Sequence, residues 1–384
     1  MTCLRVGLNL VPIGHQAGGV GNYATELTAA LAARDDVELH LFVSRDAPGT
    51  LVPAEAARPL RVTRMPVRVS GPPLHLAAQF GAVPALALAR RLDVVHSPAN
   101  AGPVRIPRVA SVVTLHDTIW ARAPDEWGSP AAVRSMYRVA LPTARRADRV
   151  IAVSAHAAGD MHELLGVPAD RIDVAHHGVR VDDAAPSTPE EALRGRLGLG
   201  SAPVVLCVAQ KRPYKNQEAL VRALVDERLA GVQLVLPGAP SPYEVRLREL
   251  AAELGIDDRV HLPGWLDDAD LDGLYRLASC VALPSRLEGF GLPVLEAMAR
   301  GVPVACSDRT ALPEVAGDAA LLFDPDDLEA VTDAVARLLR DVPLREELVA
   351  RGLARARQFT WDATAAATLE SYRRAVAERR SAAL

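Results

Sequence analysis

Two glutamates, Glu288 and Glu296, lie in one segment of small and apolar residues, PSRLEGFGLPVLEAMARGVPV (residues 284–304). Pro293 suits the first turn of a helix and Gly301 suits its end, so Glu296 is predicted about one turn inside a short apolar helix. A carboxylate there is costly unless it accepts hydrogen bonds. The two hydroxyls of a ribose would supply such bonds, which makes a nucleotide one candidate ligand.

The glycines of this segment allow a ligand to approach the backbone. Gly289 and Gly291 flank Phe290, and glycine leaves neighbouring N–H groups accessible to a phosphate or a sugar hydroxyl. The glutamates could instead chelate a metal, but no nearby histidine or third carboxylate suits a closed site. The acidic triplets DAD (residues 268–270) and DPD (residues 324–326) are predicted to cap helices. A glycosidase acid and base pair is a further alternative, which the parallel-sheet context and a nearby phosphate loop disfavour.

The segment VAQKRPYKN (residues 208–216) contains Lys211 and Lys215, and every other basic residue of the chain is arginine. It lies between a predicted strand and a predicted helix, where Lys211, Arg212 and Lys215 bring three positive charges together. An ammonium is a compact point charge that can bind a phosphate without a planar fork. The loop therefore indicates a phosphate site, although a basic loop can also simply be solvated.

The segment GGVGNYA (residues 18–24) opens the first predicted helix. GVGNYA matches the dinucleotide fingerprint G-x-G-x-x-A, and Asp46 follows the second predicted strand. In a dinucleotide site, however, the first glycine follows the strand directly, whereas here a loop of about seven residues intervenes. A nicotinamide oxidoreductase is therefore disfavoured. Gly18 and Gly19 either bring a helix N-terminus to a phosphate or form a plain helix start.

Apolar segments alternate with amphipathic helices along the chain, which is the pattern of a parallel α/β sheet. The segments predicted as strands are LRVGLNLV, VELHLFV, RLDVVHS, RVASVVTLHD, DRVIAVS, APVVLCVAQ, VQLVLPG, RVHLPGW, SCVALPS, PVACSD and AALLFDP. Polar residues 183–200 are predicted as a linker. We expect two doubly wound domains with a crevice between them, residues 1–182 and 201–360, and a helix at residues 361–384. Ligands of such sheets bind beyond the carboxyl ends of the strands.

The composition is that of a globular protein and excludes several classes. A net charge of −4 and a pI of about 6.2 argue against nonspecific nucleic-acid binding, and 4% aromatic residues are too few for base-stacking platforms. No apolar stretch is long enough to span a bilayer, and no signal peptide is evident. The cysteines are predicted to be buried, reduced thiols, which fits the cytoplasm: Cys3, Cys207, Cys280 and Cys306.

The spacing ExxxxxxxE within PSRLEGFGLPVLEAMARGVPV closely resembles the retaining GT-B glycosyltransferases of glycosyltransferase family four. Other segments resemble motifs of that family in the same order: GGVGNY, TLHDTIW, VSAHAAGDM, VAQKRPYKN, HLPGWLDDADL and SDRTALPEVAGDAALLFDP. The resemblance covers nearly the whole chain. It implies a GT-B fold, in which two Rossmann-like domains face a central cleft and the C-terminal helix packs back toward the N-terminal domain.

The resemblance also implies roles for individual residues. Lys215 matches the lysine that binds the donor diphosphate, Glu288 the glutamate near the transferred sugar, and Glu296 the one that holds the ribose. His116 would face the sugar from the N-terminal domain, and with Lys215 and Glu288 it forms the expected catalytic set. The remaining donor-binding residues are expected to be Gly18, Gly19, Lys211, Arg212, Trp265, Leu266, Gly289, Phe290, Gly291 and Leu292.

Three positions depart from the family pattern. Ala209 and Gln210 stand where many members have glycine followed by arginine, threonine or serine, and Tyr214 replaces a common arginine. Lys211 or Arg212 is expected to supply the second positive charge of the phosphate clamp.

The activity implied is the transfer of a hexose, with retention and without a metal or other cofactor, from a nucleotide diphosphate sugar to an acceptor hydroxyl. TLHDTIW most resembles mannosyltransferases, which favours GDP-mannose over UDP-glucose or UDP-N-acetylglucosamine. A sugar-nucleotide epimerase of the same fold and a noncatalytic nucleotide-sugar binder remain alternatives. No nucleic-acid partner is expected.

The acceptor is a small molecule, a glycan or a lipid-linked compound. Four arginines precede the apolar segment PLHLAAQFGAVPALALA: Arg58, Arg61, Arg64 and Arg68. Such a pair of basic and apolar segments suits an anionic lipid surface or a lipid-linked acceptor. Surface arginines beside a core helix are the simpler alternative. A cytoplasmic protein is expected, with peripheral contact at the inner face of the membrane left open.

Overall fold

The computed structural model describes residues 3–14, 18–69, 72–180 and 186–381, which form two compact units. Unit 1 comprises the described residues up to Gly178 together with those from Thr360 onward, and unit 2 spans Val179–Phe359. Each unit is built on one parallel sheet, with helices between successive strands. The two doubly wound α/β domains predicted from the alternating strands and helices are confirmed.

The sheet of unit 1 has seven strands among the described residues. They are β1 (Leu4–Leu10), β2 (Val37–Val43), β3 (Arg61–Arg64), β4 (Val94–Ser97), β5 (Ala110–Leu115), β6 (Arg149–Ala152) and β7 (Ile172–Val174). The spatial order is β3-β2-β1-β4-β5-β6-β7, so the strand order reverses between β1 and β4. The edge strands β3 and β7 were not predicted, because each is short and lacks a continuous apolar run; β3 is mostly exposed and β7 is only partly buried.

Helices connect these strands. They are α1 (Gly18–Ala32), α2 (Pro72–Ala77), α3 (Val83–Ala89), α4 (Ile119–Arg122), α5 (Pro124–Trp127), α6 (Pro130–Arg146) and α7 (Ala155–Glu163). A single π-helical turn, Ala78–Ala82, joins α2 to α3. The central strand β1 is buried along almost its whole length, as expected for a parallel strand covered on both faces.

The described sheet of unit 2 has six strands. They are β8 (Val204–Leu206), β9 (Gln233–Val235), β10 (Val260–His261), β11 (Cys280–Leu283), β12 (Val304–Ser307) and β13 (Leu321–Phe323). Their order is β10-β9-β8-β11-β12-β13, and the strand order reverses between β8 and β11. Such a reversal separates the two connecting loops and leaves a crevice at the carboxyl ends of the two strands.

The helices of unit 2 begin before β8. They are α8 (Glu190–Leu197), α9 (Gln217–Ala223), α10 (Tyr243–Glu253), α11 (Asp268–Leu277), α12 (Leu292–Ala299), α13 (Leu312–Ala316), α14 (Leu328–Arg340) and α15 (Val342–Ala356). A last helix, α16 (Trp361–Ser381), belongs to unit 1, where its Leu369 and Tyr372 share a buried cluster with β1.

The segment predicted as a linker, residues 183–200, differs from the structure. Most of it belongs to unit 2, because Glu190–Leu197 forms α8 and buries Leu193 completely. Its polar, proline-containing sequence is also typical of a linker. Residues 183–185 lie outside the described residues. The boundary between the units lies at Gly178, slightly earlier than the predicted residue 182.

The cysteines follow the prediction with one exception. All four are free, and Cys207, Cys280 and Cys306 are buried in or beside strands of unit 2, whereas Cys3 is exposed ahead of β1. None of the described helices combines the length and apolar character that crossing a bilayer requires.

Three buried histidines lie near the carboxyl ends of the unit 1 strands. His116 and His177 pack against Tyr23, with ring centres 4.8 Å from it in both cases. His96 binds the hydroxyl of Tyr372 through Nδ1 at 2.6 Å. Burial lowers the pKa of His96 to about 3 and that of His116 to about 4, and it also lowers the pKa of His177 well below 6.5. All three imidazoles are therefore neutral in the folded protein at neutral pH.

We predict that the protein loses stability as the pH falls from about 6.5 towards 4. In that range the unfolded chain protonates each histidine, whereas the folded state does not, so the free energy of unfolding falls with pH. Each buried histidine contributes about 1.4 kcal/mol per pH unit to this loss. Urea denaturation between about pH 7.5 and 5.5 measures it, and the window excludes most carboxylate titration.

The His96→Asn variant provides the matched comparison, because it removes one titrating group. Its free energy of unfolding should fall less steeply as the pH decreases, and the difference in slope from the wild type should correspond to about one proton. A wild-type stability that does not change between pH 7 and 5.5 would contradict the assignment of these histidines as neutral.

Candidate functional site

Two of the residues predicted to bind a donor in the C-terminal half, Lys215 and Glu288, lie at the strand reversal of unit 2. The loop after β8 contains Lys215, and the loop after β11 contains Glu288. These two strands are neighbours in the sheet, with Cys280 of β11 paired to Val205 of β8. The topology therefore brings together two segments that lie about seventy residues apart, at the position where doubly wound sheets bind ligands.

The loop after β8 ends in a short 3₁₀ turn, Pro213–Lys215, followed by α9. Asn216 starts the helix with a left-handed backbone (φ 53°), which asparagine tolerates better than most residues. Its side-chain amide donates to the carbonyl of Pro325 at 2.7 Å, beyond β13. This bond fixes the loop and so the position of Lys215.

An ion pair joins the two loops. The ammonium of Lys215 donates to Oε1 of Glu288 at 2.5 Å, and the two side chains are only 14% and 9% exposed. Ser285 Oγ donates to the same carboxylate oxygen at 3.1 Å. The N–H of Arg286 also binds the carbonyl of Tyr214 at 2.8 Å, so backbone and side chains both connect the loops. The expectation that Lys215 and Glu288 lie together is met.

Tyr214 occupies the position where the family often has arginine. It is buried, and the ammonium of Lys215 lies 5.4 Å from the centre of its ring. An aromatic ring at that distance attracts a cation and excludes water from one side of it. The substitution therefore replaces a second positive charge by an apolar support for Lys215.

The Glu288 loop is shaped by its glycines. Gly291 has a φ of 101°, and a β-carbon there would lie 2.5 Å from the Leu312 side chain, so any other residue would strain the backbone and displace Leu312. It precedes α12, in which Pro293 lies in the first turn, as predicted. The N–H of Glu288 donates to Thr310 Oγ1 at 3.0 Å, which anchors the start of the loop.

Glu296 lies one turn inside α12, as predicted, and its carboxylate is held by a tyrosine. The hydroxyl of Tyr275 donates to Oε2 of Glu296 at 2.7 Å. Burial raises the pKa of Glu296, while the Tyr275 bond and the nearby charge of Arg300 oppose that rise. Arg300 also lies over the Tyr275 ring at 4.9 Å, so the ring that orients Glu296 is itself held in place.

The structure does not place Lys211 where it could supply the second positive charge of the predicted phosphate clamp. Its side chain is fully buried, and its ammonium donates to the carbonyl of Gly238 at 2.7 Å and lies 3.4 Å from a Glu244 oxygen. These contacts commit the charge to the interior of unit 2. Arg212, the other candidate for a second charge, is partly exposed, and its carbonyl accepts the N–H of Lys215 at 3.0 Å.

The remaining predicted residues of unit 2 lie in the loop after β10 and in the segment that follows Glu288. Trp265 is 53% exposed and Leu266 is partly buried in the loop after β10. Gly289 and Leu292 are partly buried, and Phe290 is buried against Phe359 with ring centres 6.0 Å apart.

The residues predicted in the N-terminal half lie in unit 1. His116 follows β5, its Nε2 donates to the carbonyl of Pro98 at 2.8 Å, and its backbone N–H donates to Asn100 Oδ1 at 3.0 Å. Because a carbonyl only accepts, Nε2 carries the proton of the neutral ring. Gly18 begins α1 with a φ of 55°, and the next residue, Gly19, is exposed.

Three residues of the site were not found from the sequence: Tyr275, Ser285 and Thr310. Tyr275 lies in DLDGLYRLA, whose helical spacing predicts only a core residue. Ser285 and Thr310 are short polar residues in loops, and nothing in their spacing marks them. Only the tertiary contacts reveal them.

Within the described residues, no group of three or more histidines, cysteines, aspartates or glutamates is placed to hold a metal ion. The acidic triplets adjoin helix caps, although the capping residues are Asp267 and Asp327, immediately before the first triplet and after the second.

Two family models match this chain. "Glycosyl transferases group 1" matches residues 190–355 and "Glycosyltransferase Family 4" matches residues 17–183. The O-antigen chain mannosyltransferase B of Escherichia coli is 32% identical over 94% of this chain and 97% of its own. A D-inositol 3-phosphate glycosyltransferase of Acidothermus cellulolyticus is 33% identical over 97% of this chain and 89% of its own.

Solved structures share the fold. Sucrose-phosphate synthase from Thermosynechococcus elongatus superposes with a TM-score of 0.75 and 23% identity, covering 98% of this chain and 100% of that one. Anabaena Alr3699/HepE, in complex with UDP-glucose, gives a TM-score of 0.72 and 21% identity, covering 96% and 100%. With relatives above 30% identity over nearly its whole length, this chain belongs to glycosyltransferase family four and has the GT-B fold.

Proposed function

We propose that this glycosyltransferase moves a hexose, with retention of anomeric configuration and without a metal, from a nucleotide diphosphate sugar to an acceptor hydroxyl. The observation that carries the proposal is the Lys215–Glu288 ion pair at the strand reversal of unit 2, with Glu296 on the following helix. Such a donor has three parts: a diphosphate, a sugar and a ribose. The ammonium suits the diphosphate, and the two carboxylates suit the hydroxyls of the sugar and of the ribose.

Lys215 stabilises the leaving group in this proposal. The bond between the anomeric carbon and the phosphate oxygen breaks, and the nucleoside diphosphate gains negative charge. An ammonium that is already in place and largely shielded from water stabilises that charge more than water would. Without a donor, Glu288 neutralises the ammonium, and on donor binding a diphosphate oxygen takes over part of that contact.

The two glutamates bind hydroxyls of the donor. Glu288 accepts from the transferred sugar, and Glu296 accepts from the ribose diol. Since Tyr275 fixes one oxygen of Glu296, the orientation of that carboxylate is set before the ligand arrives. The backbone around Phe290 and Gly291 is proposed to contact the sugar or a phosphate.

The acceptor hydroxyl attacks the anomeric carbon from the face of the leaving group. Its proton passes to a phosphate oxygen of the departing diphosphate, so charge and protons balance without a covalent intermediate. His116, Gly18 and Gly19 remain predictions in this scheme. His116 would accept a hydrogen bond from the sugar at Nδ1, since its Nε2 proton is used by Pro98.

GDP-mannose is the favoured donor, because one of the relatives is named a mannosyltransferase and TLHDTIW resembles that group. UDP-glucose and UDP-N-acetylglucosamine are the alternatives. A nucleotide-sugar epimerase is the rival enzyme class. It would convert the donor sugar without an acceptor, whereas a transferase releases nucleoside diphosphate in step with acceptor glycosylation.

We predict that one nucleotide sugar raises the unfolding temperature by several degrees at a concentration well above its dissociation constant. Bound ligand stabilises the folded state by mass action, and a thermal-shift screen of GDP and UDP sugars measures it. The Glu296→Gln variant should show a smaller shift for the same ligand. If no nucleotide sugar or nucleoside diphosphate shifts the wild type, the proposed donor class is wrong.

The Lys215→Met variant should lower turnover about 10²-fold or more at saturating donor, the scale of losing one charge-stabilising donor in a preorganised site. Methionine keeps most of the side-chain volume and removes the charge. Arg222→Ala is the control, because Arg222 is a half-exposed residue of the neighbouring helix α9, paired only loosely with Glu218 at 3.7 Å. Near-normal turnover of Lys215→Met would refute the assigned role.

We also propose that unit 1 contacts an anionic lipid surface, which would present a lipid-linked acceptor. Residues 56–92 contain no aspartate or glutamate but six arginines: Arg58, Arg61, Arg64, Arg68, Arg90 and Arg91. The same region exposes apolar side chains, among them Leu74 (66%) and Phe80 (39%). Cationic and apolar groups side by side suit the boundary between headgroups and acyl chains.

The protein should therefore co-sediment with phosphatidylcholine vesicles that contain phosphatidylglycerol, but not with phosphatidylcholine alone. The double variant Arg64→Glu/Arg68→Glu should weaken binding at least about tenfold, since each cation contributes about 1 kcal/mol near an anionic surface. Arg105→Glu/Arg108→Glu, which reverses two exposed charges elsewhere in unit 1, is the control. Equal loss in both double variants would contradict a specific surface.

A further inference from the structure

Lys211 is a completely buried lysine for which the proposed reaction has no use. Its side chain has no exposed surface, and it ranks among the largest fully buried side chains of the described chain. Lysine is almost never fully buried unless it is paired. Burial lowers its pKa, and the nearby Glu244 carboxylate opposes that shift. A buried charge of this kind needs a structural or functional reason.

The contacts of Lys211 connect two loops and a helix. Its ammonium donates to the carbonyl of Gly238, in the loop after β9, at 2.7 Å, and pairs with Glu244 of α10 at 3.4 Å. Ser241, in the same loop after β9, donates its hydroxyl to the carbonyl of Lys211 at 2.7 Å. The loops after β8 and β9 are therefore joined by both the side chain and the backbone of Lys211.

Gly238 extends this connection to a third loop. Its N–H donates to the carbonyl of Gly264, after β10, at 2.8 Å. Its φ is 137°, and a β-carbon there would lie 2.7 Å from the carbonyl oxygen of Ala209. The backbone of Gly238 is thus wedged between the loops after β8 and β10. Trp265, 53% exposed, directly follows Gly264.

These contacts lie on one side of the candidate site. Lys215 and Glu288 occupy the position between β8 and β11, whereas β9 and β10 continue the sheet on the opposite side of β8. The loops after β9 and β10, to which Lys211 joins the first part of the loop after β8, therefore form a wall on the other side of β8 from the pair that would hold the diphosphate and the sugar. An exposed indole in this wall offers a flat face on which a nucleobase can stack.

We propose that Lys211 and Glu244 are positioning residues, which hold the loops after β8, β9 and β10 in fixed positions relative to one another. These loops then shape the wall that receives the nucleoside of the donor. The inference rests on the proposed function. It also accounts for a lysine at position 211 in a chain whose only other lysine is Lys215, because a compact ammonium suits a closed space beside one carbonyl and one carboxylate better than a planar guanidinium.

The test compares two ligands that differ only in the nucleoside. Dissociation constants are measured by calorimetry for inorganic pyrophosphate and for GDP or UDP, whichever binds the wild type more tightly. The Lys211→Met variant should weaken nucleoside diphosphate binding about tenfold, the scale of one lost hydrogen bond to a charged group, and leave pyrophosphate binding unchanged within about twofold. KM for the donor should rise while kcat stays within a few-fold of wild type.

Lys215→Met, four residues along the same loop, is the matched variant and should weaken both ligands. An equal loss of pyrophosphate and nucleoside diphosphate binding in Lys211→Met would show that Lys211 contacts the phosphates and would overturn the inference. A lower unfolding temperature with both affinities unchanged would also overturn it, since Lys211 would then serve stability alone.

Two further measurements keep the inference testable. If Lys211→Met does not fold, Glu244→Gln is the alternative, because it retains the shape of the side chain and removes the partner charge. It should show a smaller loss of nucleoside diphosphate affinity, again with pyrophosphate binding unchanged. If the wild type binds pyrophosphate but no nucleoside diphosphate, the proposed donor class fails before the role of Lys211 is at issue. Selective weakening in either variant, with wild-type binding intact, supports the wall assignment.

Discussion

The site of unit 2 depends on one ion pair. Lys215 and Glu288 are 2.5 Å apart, nearly shielded from solvent, and held by loops that leave adjacent strands of the sheet. Pairing offsets the cost of taking either charge largely out of water, since an unpaired buried charge costs several kcal/mol. In the proposed function, a phosphate of the donor would replace part of this contact, so little reorganisation would be needed.

The surrounding contacts explain why this arrangement is rigid. Asn216 ties the lysine loop to Pro325, and Thr310 ties the start of the glutamate loop. Tyr275 orients Glu296 on the following helix. Preorganised groups stabilise developing charge better than mobile ones, because no further ordering is needed at the moment of reaction. The polar network around the site is in this sense part of its chemistry.

The two lysines of the same loop make different contacts. The sequence places both beside a strand end and gives no means of telling them apart. In the structure, Lys215 lies with Glu288, whereas Lys211 turns into the interior towards Gly238 and Glu244. The difference arises because the 3₁₀ turn Pro213–Lys215 separates the two side chains, and only one of them remains at the strand reversal.

The amino-acid sequence by itself determined the two α/β domains and the helix that carries Glu296, while only the family resemblance implied that Lys215 and Glu288 share one site. The periodicity of apolar residues, the residues that end helices and the spacing of the two glutamates are local properties of the sequence. They can therefore be read without knowing which distant segments come into contact. Tertiary structure alone decided the edge strands β3 and β7, the helix within residues 183–200, the burial of Lys211 and the roles of Tyr275, Ser285 and Thr310. Each of those outcomes depends on a neighbour distant in the chain, and no single-residue pattern encodes which neighbour that will be.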